Sequence, residues 1–218
     1  MRAATGLSAG ALLLVVCALT TADPVERAPL RGSEESEAFF NGKDLDGWEG
    51  LGAYWTVREG AIVGKVPAEG LAFRTFLCSR RKYKDFELSL QVRIRDGKGN
   101  SGVQFRSRVV DAERFAVAGP QANMGRPFWG GLYGERDPGR WLRLPKQAVV
   151  REIVKPAEFN DYVITCVGKR VTIKLNGTTT VDDHFPEIPD EGIIAWQLRG
   201  DYPGMEVTFR NIQFKDLK

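Results

Sequence analysis

Residues 86–94 read FELSLQVRI, and their alternation decides the fold. Phe86, Leu88, Leu90, Val92 and Ile94 fall at every second position, so in extended backbone all five point to one side. Alternation this strict marks a strand with one buried face. Working outward, the same rule holds in AYWTVREGAIVGK (53–65), SGVQFRSRVV (101–110), DYVITCVGKRVTIKLNG (161–177), GIIAWQLR (192–199) and MEVTFRNIQFK (205–215). Turn residues separate them, in DGKGNSG, NGTTT and GDYPG. Helical spacing is absent. Many strands in one chain, with no repeat period, predict two antiparallel sheets packed face to face. Residues 117–150 interrupt the pattern: rich in Gly and Pro and containing MGRPFWGGLYGERDPGRW (124–141), they read as a long functional loop.

At 218 residues, with 43% hydrophobic and 27% charged residues, the chain suits a single sizeable globular domain. Its net charge of +3 comes without a Lys/Arg cluster, which argues against nucleic acid as a partner. The N-terminus MRAATGLSAGALLLVVCALTTADP has a basic start, an apolar run over Leu12–Leu19 and small residues before Asp23. That is the layout of a cleaved secretory signal, and the run is shorter than the roughly 20 residues of a membrane span. The expected organisation is a signal peptide over 1–22, a polar linker over 23–37 and a β-domain over 38–218, secreted or periplasmic, with no stable membrane insertion after cleavage. Export would leave Cys78 and Cys166, either paired with each other or as two separate buried thiols. No CxxC or HExxH spacing points to thiol or zinc chemistry.

A second period-two pattern runs through the polar positions. Gln91 and Arg93, Gln104 and Arg106, Gln121 and Asn123, and Gln197 and Arg199 are each two apart, so each pair shares one side of its strand. If the strands are neighbours, amides and guanidiniums form one surface. Amides match vicinal hydroxyls and guanidiniums offer a fixed fork of donors, so this surface suits a sugar; it also suits a plain solvated face. Trp129 and Tyr133 in the long segment could supply a platform for a sugar ring. Glu135 is the acid expected nearest the groove, or else a surface partner of Arg136 or Arg140. His184 reads as a loop residue, and Asp44 and Asp46 in NGKDLDGW as turn-formers.

The ordered series FFNGKDLDGW, YWTVREGAIVG, DFELSLQVRI, NSGVQFRS, FNDYVITCVGKRVTIKLNG and GIIAWQLRGDYPGMEVTFRNIQFKDL resembles the 3-keto-disaccharide hydrolase family, also called 3-keto-glucoside 1,2-lyase/3-keto-2-hydroxy-glucal hydratase. The resemblance runs from Phe39 to Leu217 and implies a concanavalin-like jelly roll. It implies cleavage of 3-keto-glycosides: a base removes the C2 proton made acidic by the C3 ketone, the enolate expels the C1 oxygen, and water adds to the glycal. Glu135 is then the expected base, with Arg106 or Arg199 holding the enolate oxygen, a role a divalent metal ion could also fill. Gln104, Gln121, Asn123, Trp129, Tyr133 and Gln197 are expected to hold the sugar. Relatives have Asp where Asn123 stands and His where Arg199 stands; Asn is not a base at ordinary pH, and Arg stays protonated and binds no metal. Gln121, Trp129, Tyr133, Glu135, Asn160 and Gln197 match. The alternative is a non-catalytic, lectin-like module using the same groove.

Overall fold

A computed structural model describes residue 1 and residues 38–217; the leader and linker expected over 1–37 lie outside the described residues beyond Met1. In chain order the first strands are β1 (Trp48–Glu49), β2 (Trp55–Arg58), β3 (Ala61–Lys65), β4 (Arg74–Tyr83), β5 (Phe86–Ile94), β6 (Asn100–Asp111) and β7 (Ala116–Gly125). They are followed by β8 (Leu132–Glu135), β9 (Trp141–Arg143), β10 (Asn160–Val167), β11 (Arg170–Leu175), β12 (Thr178–His184), β13 (Gly192–Arg199) and β14 (Glu206–Asp216). One seven-stranded sheet has the order β1-β4-β13-β6-β7-β8-β9, and the other β12-β11-β10-β5-β14-β3-β2. All pairings are antiparallel. Two such sheets packed face to face form the expected jelly-roll β-sandwich.

The period-two reading of β5 holds residue by residue. Phe86, Leu88, Leu90, Val92 and Ile94 are all buried, while the residues between them are partly or fully exposed. They meet Ile194, Trp196 and Leu198 of β13 and Val103 and Phe105 of β6 in one apolar core. Trp196 packs against Trp48 and Phe209, ring centroids 5.7 and 4.7 Å away. Burying each large apolar side chain stabilises the fold by about 1.5–3 kcal/mol, so this layer is what ties the sheets together. Asn41, Asp44 and Asp46 form the expected turn: the Asn41 side chain accepts from the Lys43 and Asp44 amides, and Asp44 accepts from that of Asp46.

Three local expectations are corrected. Residues 117–150 are no single loop; they contain most of β7, then β8, β9 and the start of a seven-residue helix, α1 (Gln147–Ile153). Every residue of β7 is buried, so both its faces are covered and no alternation shows. NGTTT is turn-like only at Asn176 and Gly177, and His184 is no loop residue but the last of β12, which begins at Thr178. The reversal itself needs only Asn176 and Gly177, both at positive φ (47° and 80°), as a two-residue hairpin turn requires. Strand β4 was not foreseen, because RTFLCSRRKY turns basic halfway along.

Cys78 and Cys166 are two separate buried thiols. Cys166 lies in the main core, and Cys78 in a second apolar cluster with Phe76, Val117 and Ala195. Burial pushes the Cys166 thiol up to about 11 and raises that of Cys78 as well, so both are poor nucleophiles. Among the described residues no helix is long and apolar enough to cross a membrane.

Candidate functional site

The first sheet carries the polar row. Register places Gln104 opposite Gln121 and Ala195, Gln121 opposite Tyr133, Gly119 opposite Glu135, and Arg199 opposite Arg74. Antiparallel partners share a face, and so do residues two apart. Gln104, Gln121, Gln197, Tyr133, Glu135, Arg74 and Arg199 therefore all stand on the side of this sheet that faces away from the core. Gly102 lets the Gln121 side chain lie flat across β6: a Cβ there would come within 2.6 Å of its amide carbon.

Curvature turns that face into a site. Arg74 on β4 and Glu135 on β8 are four strand steps apart, about 19 Å in a flat sheet at ~4.8 Å per step. In the structure the Arg74 guanidinium donates to both Glu135 oxygens, at 2.7 and 3.0 Å. The sheet must curl for this, and the ion pair spans the glutamine row. Above it lies a cavity of about 560 Å³, lined by Phe73, Arg74, Arg114, Tyr133, Glu135 and Asp201 among others. Glu135 itself is only 3% exposed. Arg114 stacks over Phe73, 5.7 Å from the ring centroid, and Tyr133 leans on Trp141 at 5.0 Å. The volume falls within the usual range of small-ligand sites.

Tyr133 and Glu135 are thus brought together as expected, with Arg74, Arg114 and Asp201 as partners that the sequence did not reveal. Glu135 pairs with Arg74, and with neither Arg136 nor Arg140. The glutamines share the predicted face but lie under the cavity wall, at 0–2% exposure. The Gln104 amide nitrogen, turned toward the carbonyls of Gly119 and Pro120, donates to them at 3.1 and 2.7 Å. Among the described residues Gln197 Oε1 has no hydrogen-bond partner and is the row's unmet acceptor. Arg199 is pinned by Asp201, its Nε and Nη2 donating at 2.7 and 2.9 Å. That contact raises the guanidinium's pKa and holds the Asp201 carboxyl below 3.8. The pairing therefore helps the fold at neutral pH and fades as pH falls through the lowered carboxyl value.

Four expected placements are not met in the structure. Gln91 and Arg93 lie on β5 in the other sheet, so they do not join this face. Arg106 lines no part of the cavity. A break in register between Gln104 and Arg108 and a positive φ of 45° turn it aside. Its guanidinium instead donates to the Lys84, Gly168 and Pro189 carbonyls and to Asp85. Trp129 is core, packed against Tyr162. Its segment is fixed to the opposite sheet because the Gly130 amide donates to the Tyr162 hydroxyl and Thr180 donates to the Gly130 carbonyl. Asn123 is a structural stitch: its Nδ2 donates to the Gly125 and Phe128 carbonyls at 3.2 and 2.9 Å, and its Oδ1 accepts from Asn100. Asn160, which matches the family pattern, likewise closes a loop through Lys155 and Glu158.

The stitch makes a prediction. Asn123→Asp removes two donated bonds and sets a carboxylate against two carbonyls, which should cost about 2–4 kcal/mol and lower Tm by roughly 5–15 °C. Thermal unfolding measures this; an unchanged Tm would show that the side chain is free to turn toward ligand. Among the described residues no group of three His, Cys, Asp or Glu side chains could hold a metal ion.

Comparison with known proteins agrees with the fold and with a carbohydrate-active protein. Residues 35–215 match the profile of the 3-keto-alpha-glucoside-1,2-lyase-like domain. A Parabacteroides distasonis protein provisionally named a glycosyl hydrolase superposes with TM-score 0.60 at 22% identity, covering 82% of this chain and 92% of that one. A carbohydrate-binding module from Bacillus subtilis superposes equally well, TM-score 0.60 at 18% identity, covering 78% and 95%. At such identities the likeness is one of fold. No curated protein matches the chain.

Proposed function

The chain belongs to the family of 3-keto-alpha-glucoside-1,2-lyase-like domains, a carbohydrate-active family, and from that premise we propose that it cleaves 3-keto-glycosides at the Tyr133–Glu135 cavity. The observation that carries the reading is the Glu135–Arg74 pair in the cavity wall, which sets a carboxylate base beside a fixed cation. With the sugar's C3 ketone turned toward Arg74, Glu135 takes the C2 proton while the guanidinium holds the oxygen that becomes the enolate. The enolate electrons reform the ketone conjugated to a new C1–C2 double bond, and the C1–O bond breaks. The departing alkoxide takes a proton, available from Glu135. Water then adds across the double bond, its hydroxyl to C1 and its proton to C2, so the net change is hydrolysis. Arg74 takes the place expected for Arg106 and Arg199, both of which are engaged elsewhere. Export to the periplasm or outside belongs to the proposal too, supported by the leader-like residues 1–22.

A second reading, a lectin-like binder without turnover, is favoured by the engagement of Arg199 by Asp201 and of Asn123 by backbone carbonyls. Incubating purified protein with a 3-keto-disaccharide and following monosaccharide release separates the two. Release that the Glu135→Gln variant lacks is the expected result. Binding without release, beside an active relative as control, would leave the lectin-like reading standing and overturn the enzyme.

A further inference from the structure

The second sheet carries a cavity of its own on its outward face. Thr208 of β14 pairs with Val63 of β3, and with Ala61 these make a low, uncharged floor enclosed in about 360 Å³. Arg58, Arg93, Arg95 and Arg210 stand around it, with Phe159 on the rim and only Glu59 and Glu206 as acids. Buried Glu206 is shared between Arg58, at 3.1 Å, and Arg95. Arg93 and Arg210 form no ion pair among the described residues. They lie instead against the Phe159 ring, guanidinium carbons 4.7 and 3.5 Å from its centroid. Gln91 further fixes Arg210 by accepting from its Nε at 2.9 Å. Contact with an aromatic ring orients a guanidinium without consuming its N–H donors.

We infer that this hollow binds an acidic saccharide unit, one carrying a carboxylate or sulfate. Two pre-oriented forks whose charge no carboxylate offsets match the paired oxygens of such groups. The volume suits a small ligand, with the Thr208 hydroxyl on the floor for a sugar hydroxyl. The excess charge is confined to a hollow and does not run as a stripe, the form a nucleic-acid backbone would track. The saccharide half of the inference rests on family membership; it does not depend on the Glu135 reaction, which lies on the other sheet.

The test titrates full-length protein with a sulfated oligosaccharide, an oligogalacturonate, a neutral oligosaccharide of equal length, inorganic sulfate and a short single-stranded DNA. Binding is expected for an acidic oligosaccharide, weakened about tenfold or more in Arg93→Gln/Arg210→Gln and by raised salt, but unchanged in Glu135→Gln. Thr208→Glu, which keeps all four arginines and places a carboxylate on the floor, should abolish it and covers the case in which the double variant does not fold. Equal binding of the neutral sugar, tighter binding of DNA, binding of sulfate alone, or full affinity in Thr208→Glu would each overturn the assignment. Loss of binding in Glu135→Gln would place the ligand in the other cavity and would equally refute this one.

Discussion

Replacing Arg106 with alanine is expected to cost about 3–5 kcal/mol, because a buried charge partner and its hydrogen bonds are removed together. The side chain is fully buried and donates to three carbonyls, of Lys84, Gly168 and Pro189, and to the Asp85 carboxylate. These acceptors come from three different connections, β4–β5, β10–β11 and β12–β13, so one guanidinium ties their turns together. Against a typical total of about 5–15 kcal/mol the loss is severe, and Tm should fall by roughly 6–20 °C. Arg106→Lys keeps the charge but has no planar fork, and should fall between wild type and alanine. Chemical denaturation of the three proteins measures this. An alanine variant as stable as wild type would contradict the structural role and return Arg106 to the list of ligand contacts.

Glu135→Gln is expected to lower kcat for 3-keto-disaccharide cleavage by about 10²–10⁴, the usual weight of a positioned general base. Glutamine keeps the shape and can still accept from Arg74, so the fold and sugar affinity should change little. Arg74→Ala removes the cation beside the reacting oxygen and should also lower kcat, by about 10²–10³. It additionally leaves a nearly buried carboxylate unpaired, so its Tm should drop as well. Kinetics with thermal unfolding on both variants separates the roles. If Glu135→Gln retains full turnover, the carboxylate only braces Arg74 and the base must be sought elsewhere.

The sandwich could be read almost whole from alternation, because a strand buried on one face writes its geometry into every second residue, as β5 and β10 do. Where both faces are covered, as in β7, or the pattern turns basic midway, as in β4, that signal disappears. The site was readable to the extent that it lies along single strands. Tyr133 and Glu135 are two residues apart and reach the same cavity. Arg74 is 61 residues from Glu135 and meets it only because the sheet curls, and alternation carries no information about curvature. Gln91–Arg93 and Gln197–Arg199 look alike in sequence yet stand on different sheets, since spacing fixes the side of a strand and not the sheet it joins. Arg106 misled for a related reason: the change of register in β6 breaks the period that placed it beside Gln104.

The central claim is that Glu135 removes the sugar's C2 proton, and cleavage in D₂O tests it most directly. Elimination followed by hydration must return a solvent deuteron to C2, so mass spectrometry of the freed keto-sugar, quenched before spontaneous exchange, should show one deuterium at that carbon. Product that keeps hydrogen at C2, released at the enzymatic rate, would mean the glycosidic bond breaks without C2 proton abstraction and would contradict the account.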